Sequence, residues 1–276
     1  MNKIDSHQHF WYYDAKKLPW ISNEMLALKG DFLPDKLYSI LTDNGIEGTV
    51  AVQALQDPEE TQFLLDLAEK FPFILGVVGW VDLESGQLSD TLHAYQPFTK
   101  LKGFRHLLQD ESDPEYILRP GFQRGLKEIF EAGFSYDLLV FPHQLDGVIQ
   151  TASNFPQGSF VLDHLGKPPI GERKFDDWGD KIRDLASHPQ VFCKLSGMVT
   201  EANWEGWKTK DFFPYLDLVL EAFGEDRLMF GSDWPVCQLA ASYQQVCGIL
   251  EKFLEGQPLQ VQNKIWYKNA RHFYRL

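Results

Sequence analysis

Gly48-Thr49-Val50-Ala51-Val52-Gln53-Ala54-Leu55 is a short apolar run rich in β-branched residues, followed by a polar turn and a helical pattern over 58–71 that opens on Pro58. A run of this length, bounded by turn residues, reads as a buried strand. Proline suits the first helical turn, where a missing N–H costs little. The same unit recurs along the chain. A first strand ends in His7-Gln8-His9, and others are predicted at 73–83, 101–108, 136–143, 159–165, 191–196 and 228–234. Helical patterns fall at 34–44, 58–71, 86–95, 120–132, 144–155, 176–187, 211–223 and 241–254, with a terminal one at 259–273. Pro34 and Pro120 stand at helix starts, and Gly45, Gly133 and Gly224 at helix ends. Eight strand-and-helix units spaced by roughly thirty residues imply a parallel sheet. In a chain of 276 residues they fit a closed (β/α)8 TIM barrel, read as one domain over 1–276. A doubly wound open sheet is the alternative, and it is weakened because no GxGxxG loop follows the first strand.

Composition narrows the function classes. Hydrophobic residues at 44% and charged residues at 24% are those of a soluble globular protein. The aromatic share of 14%, with 8 Trp, suits a sugar-like or ring substrate, although most of these rings belong in the core. A formal charge of −13 argues against nucleic acid or an anionic membrane, because no basic stripe exists to neutralise phosphates. Cys193, Cys237 and Cys247 have neither an even count nor metal-ligand spacing, so a disulfide framework is not expected. With no basic start, no apolar signal core and no apolar run long enough to span a bilayer, a cytoplasmic protein is expected.

A barrel of this kind carries its active site at the C-terminal ends of its strands. Polar residues gather there: His7 and His9 on the first strand, Trp80 and Asp82 on the third, Arg105 and His106 on the fourth, and His143 on the fifth. Asp163, His164 and Lys167 follow on the sixth, Lys194 and Ser196 on the seventh, and Ser232, Asp233 and Trp234 on the eighth. Alternation along a strand puts His7 and His9 on one face, and likewise Trp80 with Asp82 and Lys194 with Ser196. Arg105 and His106 are adjacent, so one of them serves from the rim. An inward His164 would turn Asp163 outward into a structural role. Asp233 is the foremost candidate for catalysis, with Gly231 allowing close approach and Pro235 ending the strand.

His7-x-His9, Asp163-His164-Leu165-Gly166-Lys167-Pro168, Gly231-Ser232-Asp233-Trp234-Pro235 and the ending Asn269-Ala270-Arg271-His272-Phe273-Tyr274-Arg275-Leu276 together resemble the amidohydrolase superfamily, in its amidohydrolase-2 branch. Gly103-Phe104-Arg105-His106 and Cys193-Lys194-Leu195-Ser196-Gly197 extend the resemblance to the sugar lactonases of the L-fuconolactonase and L-rhamnonolactonase type, and more distantly to pyrone-dicarboxylate lactonase. The resemblance implies that His7, His9, His164 and Asp233 form the central cluster and that Asp233 activates water. Binuclear members carry a carbamylated lysine or a glutamate at the end of the fourth strand, where this chain has Arg105 and His106, so two metals are not expected. One divalent ion, Zn or Mn, on His7, His9, His164 and Asp233 is one reading, and a metal-free site is the other. His143 is either a fifth-strand ligand or the first turn of a helix, with the helix preferred.

The expected function is a hydrolase opening a sugar lactone to its acid, with a small-molecule substrate and neither nucleic acid nor membrane as partner. Assembly state is left open, a homo-oligomer included. Asp233 would take the water proton while His164, or His7 with His9, polarises the carbonyl. Arg105, His106, Lys167 and Lys194 would anchor hydroxyls or the developing anion, and Trp11, Trp80 and Trp234 would form ring walls. The alternatives are a metal-dependent decarboxylase of the same branch and a non-catalytic barrel that binds a sugar acid.

Overall fold

Eight parallel strands in the computed structural model, which describes residues 2–276, follow one another in chain order round a barrel. They are β1 (Ile4–Gln8), β2 (Gly48–Val52), β3 (Ile74–Gly79), β4 (Leu101–His106), β5 (Ser135–Leu138), β6 (Phe160–Leu162), β7 (Val191–Leu195) and β8 (Leu228–Phe230). Their residues are almost all buried, because helices cover the outside and side chains fill the inside. This explains the near-continuous apolar runs. Neighbouring strands pair in parallel throughout. Between β8 and β1 the closing contact is made just beyond the strand ends: His9 N–H donates to Trp234 O at 2.7 Å, and Asp233 N–H to His7 O at 2.8 Å.

One long helix follows each strand: α1 (Pro34–Asp43), α2 (Pro58–Lys70), α3 (Leu88–Tyr95), α4 (Pro120–Glu131), α5 (Leu145–Asn154), α6 (Asp176–Ala186), α7 (Phe213–Phe223) and α8 (Tyr243–Leu254). The terminal helix expected over 259–273 divides into α9 (Leu259–Asn263) and α10 (Asn269–Tyr274), joined by a wider helical turn at Lys264–Lys268. Ala270, Phe273 and Tyr274 of α10 pack on Ile4, Val50, Val52, Val78, Val161 and Met229, closing the foot of the barrel. No helix among the described residues is long and apolar enough to cross a membrane.

Several strands stop earlier than the sequence pattern suggests. At β6 the chain turns sharply after Leu162, with His164, Leu165 and Lys167 all at positive φ (54°, 56° and 51°). Asp233, beyond β8, has φ 58°. Non-glycine residues seldom adopt this conformation, so strand periodicity gives no warning of it.

Candidate active site

β1 presents His7 and His9 to the barrel interior. His9 Nδ1 lies 2.8 Å from Val52 O; a carbonyl only accepts, so Nδ1 carries the proton and Nε2 offers its lone pair inward. The His164 ring is held in orientation by Ser196 Oγ, 2.8 Å from its Nδ1, a hydroxyl that can donate or accept. His7 Nδ1 lies 3.2 Å from Asp163 Oδ1 and 3.1 Å from Lys194 Nζ. The three Nε2 atoms converge on Asp233 Oδ1, at 3.3 Å from His9, 3.8 Å from His7 and 3.9 Å from His164. Two glycines make room for these rings. A Cβ on Gly197, whose φ is 63°, would stand 2.5 Å from His164 Nδ1, and one on Gly231 would stand 2.8 Å from His7 Cβ.

Burial pushes the His164 imidazole down to about 4, and it drives His7 well below the usual range against the opposing pull of Asp163. Both rings are therefore neutral at neutral pH, as ligands and acceptors must be. Burial opposes the charge on Asp233, but the facing imidazoles of His164, His9 and His7 outweigh it and hold the carboxyl well below the usual carboxylate range.

His9 Nε2 lies 3.2 Å from His7 Nε2 and 3.3 Å from the Asp233 carboxylate, so its lone pair faces a carboxylate oxygen that cannot donate to it, a contact that a cation between them would satisfy. The donor set of imidazole nitrogens and one carboxylate suits a divalent ion such as Zn, and the spacing matches ligands each about 2 Å from one centre. One ligand atom apiece from His7, His164 and Asp233 falls within a mutual 4.8 Å. The residues present thus fit one ion. They do not fit two, because the fourth-strand position is filled by the Arg105 guanidinium, 3.3 Å from His7 Nε2.

A charged layer lies beneath this cluster. Lys194 is fully buried, its Nζ 2.6 Å from Asp137 Oδ2 and 3.0 Å from Asp163 Oδ1. Arg105 donates to Asp163 Oδ2 at 3.0 Å and to Gln53 Oε1 at 2.9 and 3.2 Å. Tyr274 of α10 donates its hydroxyl to Asp137 at 2.7 Å. Burial raises the Asp137 carboxyl to about 6 against the pull of Lys194; for Asp163 burial is outweighed by Lys194, His7 and Arg105, which keep it ionised. Asp5 braces the seam, accepting from Ser232 N–H at 2.8 Å, Ser232 Oγ at 2.6 Å, Tyr243 OH at 2.9 Å and His7 N–H at 3.1 Å.

Above the cluster opens a cavity of about 320 Å³, whose polar lining includes His9, Arg105, His164, Lys167, Glu201 and Asp233. The structure corrects several expectations. Asp163 does not point outward: the left-handed turn at His164 breaks strand alternation, and both side chains enter the barrel. Lys194 does not line the cavity, because it lies inside the barrel on β7, paired with Asp137 and Asp163. His106 is held outside it, 2.8 Å from Glu111 and stacked on Tyr116. Trp80 donates to His106 Nδ1 at 3.5 Å rather than facing substrate. Trp234 packs against Phe10 and Phe32, and Trp11 against Trp20 and Phe32. The aromatic walls are Trp20, Phe141 and Trp204. His143 lies in the helical turn Pro142–Gln144 beside Phe141, apart from the cluster.

Sequence reasoning missed Asp137 and Glu201. Asp137 had a signal, a lone charge within the apolar run Tyr136-Asp137-Leu138-Leu139-Val140 matched by Lys194 in another strand. Glu201 sits in an irregular loop and had none.

A family profile for amidohydrolases matches residues 4–276. The chain is 42% identical to an L-fucono-1,5-lactonase of Burkholderia multivorans, with 99% of this chain and 96% of that protein aligned. It is 34% identical to an L-fucono-1,5-lactonase of Burkholderia ambifaria, again over 99% and 96%. The crystal structure of an amidohydrolase from Burkholderia multivorans with bound Zn superposes at a TM-score of 0.95 and 42% identity over the whole of both chains. With the profile matched from β1 to the last residue, the chain belongs to the amidohydrolase family.

Proposed function

We propose that the protein is a hydrolase that opens a sugar lactone, an aldonolactone of the L-fucono or L-rhamnono type, to the free sugar acid. The observation that carries this reading is the convergence of one ionised carboxylate, Asp233, and three oriented imidazoles on the floor of a cavity large enough for a single sugar ring. The relatives named L-fucono-1,5-lactonase point to the same substrate class.

Asp233 accepts the proton of the attacking water and can return it to the departing ring oxygen. Groups in this role commonly contribute about 10²- to 10⁴-fold in rate. Arg105, fixed by Gln53 and Asp163, directs its guanidinium edge at the cavity floor, where negative charge develops on the carbonyl oxygen. One divalent ion, Zn or Mn, held by His7, His9, His164 and Asp233 would polarise the carbonyl and make water more acidic. Ser196 and Val52 O keep the His164 and His9 rings turned toward this point. Three buried, free cysteines suit a reducing cytoplasm, with 1–276 working as one domain.

The test is a panel of 1,4- and 1,5-aldonolactones, read by acid release with the enzyme-free rate subtracted, with and without added Zn²⁺ or Mn²⁺. Asp233→Asn should stay folded and lose most turnover; near-wild-type turnover in that variant refutes its role. Carbon dioxide release from an unsaturated or aromatic acid, without lactone opening, would make the protein a decarboxylase instead. Full activity in a sample shown by metal analysis to be metal-free refutes the ion.

A further inference from the structure

We infer that Lys167 and Glu201 form a donor–acceptor subsite that selects the lactone by its ring hydroxyls, the ammonium donating to one and the carboxylate accepting from its neighbour. The inference rests on the lactonase reading and adds the part of the molecule that would distinguish a sugar lactone from a bare one.

The two side chains come from successive strand exits, Lys167 from the turn after β6 and Glu201 from the loop after β7, and both line the cavity with His164 and Asp233. The left-handed backbone at Lys167 (φ 51°) brings its ammonium back over the cavity, 4.9 Å above the Phe141 ring. Glu201 is anchored by its backbone, its carbonyl accepting from Gly171 N–H at 2.9 Å and its N–H donating to Met198 O at 3.2 Å.

The head groups stand 3.4 Å apart, with side chains only 16% and 19% exposed. Such a contact is too long to be a strong charge-assisted hydrogen bond. Among the described residues neither head group has another hydrogen-bond partner, so Lys167 retains donors and Glu201 a carboxylate oxygen for a ligand. Burial pushes the Glu201 carboxyl up against the pull of Lys167, as expected of a carboxylate short of donors. A sugar ring supplies what both lack. Adjacent hydroxyls can present an acceptor and a donor side by side. The lining also contains the apolar side chains of Trp20, Met25, Val236 and Leu239, which offer no partner to a hydroxyl, so the hydroxyl-bearing edge is favoured at Lys167 and Glu201.

Steady-state hydrolysis of L-fucono-1,5-lactone and of δ-valerolactone, which keeps the ring ester and lacks hydroxyls, tests this in the wild type, Lys167→Met, Glu201→Leu and Glu201→Gln. The wild type should prefer the sugar lactone. Lys167→Met and Glu201→Leu should raise KM for it by about 10- to 100-fold, the loss of a charged hydrogen bond, with kcat changed far less. Glu201→Gln, which keeps an acceptor, should fall between. kcat/KM for δ-valerolactone should stay within about twofold in every variant. Equal losses on both substrates overturn the subsite, because the pair would then be supporting the chemistry or the architecture. An unchanged KM for the sugar lactone overturns it too, as does a wild type with no preference between the two lactones. Absence of turnover of either lactone by the wild type overturns the lactonase reading and the subsite with it, a result distinct from those that remove the subsite alone.

Discussion

Replacing Lys194 with methionine separates its two candidate roles. The substitution keeps an unbranched side chain of similar reach while removing a cation that stands 2.6 Å from Asp137 and 3.0 Å from Asp163. Asp163 keeps Arg105, but Asp137 is left with a single hydroxyl donor from Tyr274. Removing one partner of a buried pair costs about 3–5 kcal/mol. At 2–4 °C per kcal/mol for a chain near this size, Tm should fall by about 6–20 °C. The loss should depend on pH, with a definite sign. Asp137 already has a folded pKa raised to about 6, and losing Lys194 raises it further, so protonation relieves the penalty at low pH. A raised folded pKa stabilises fully below the unfolded value, near 3.9, and that contribution is lost as pH rises through the folded one. The variant should therefore lose more stability at pH 8 than at pH 5. Urea unfolding followed by tryptophan fluorescence at both pH values gives the free energies, and adding Asp137→Asn should recover part of the loss. A stability change below about 1 kcal/mol together with a clearly raised KM would refute the buried-pair account and restore Lys194 as a substrate anchor.

Gly197→Ala should cost about 1–2 kcal/mol for its left-handed backbone alone and should displace the His164 ring, lowering kcat more than it raises KM; wild-type kinetics would show that the ring tolerates the added methyl. Glu60, whose carboxylate accepts from Ala54 and Leu55 N–H, is raised by burial to about 8. Its contribution to stability is present below about pH 4.3 and lost as pH rises through 8. The unfolding free energy of Glu60→Gln should thus vary less over that window than that of the wild type, and parallel profiles would count against the assignment. His106→Asn should lower stability by about 1–2 kcal/mol, because it loses the Glu111 bond and the Tyr116 stack, while KM stays unchanged; a raised KM would place His106 in contact with substrate after all.

The barrel was legible because its signals are local. Apolar runs of strand length, prolines at helix starts and glycines at helix ends located all eight strands and the eight helices between them. The polar cluster was legible because His7, His9 and Asp233 stand at or just beyond strand exits, even though β8 ends at Phe230 and not at 234. Side-chain direction was less so. Asp163 was turned the wrong way because alternation assumes an extended backbone, and His164 is left-handed. The sequence pattern runs this strand on to residue 196, close to the observed end of β7 at Leu195, but it does not tell a lysine at the strand end from one a layer below it, and Lys194 lies inside the barrel. Loops hid the rest: Trp20, Glu201 and Trp204 reach the cavity from irregular segments, where no periodicity records which way a side chain faces.

The seam between the first and last strands also bears on the folding rate. His7 and Asp233 are separated by nearly the whole chain, yet they are joined by the backbone bond that closes the ring. Contacts of such high sequence separation incur their loop-closure entropy before they return any stabilisation. Until β1 and β8 meet, His7 and His9 are not brought to Asp233. The polar cluster is consequently complete only in the closed ring, and a ligand bridging His7 to Asp233 would staple the two ends of the sheet together. Its affinity for the closed barrel would add directly to the free energy that holds the ring shut.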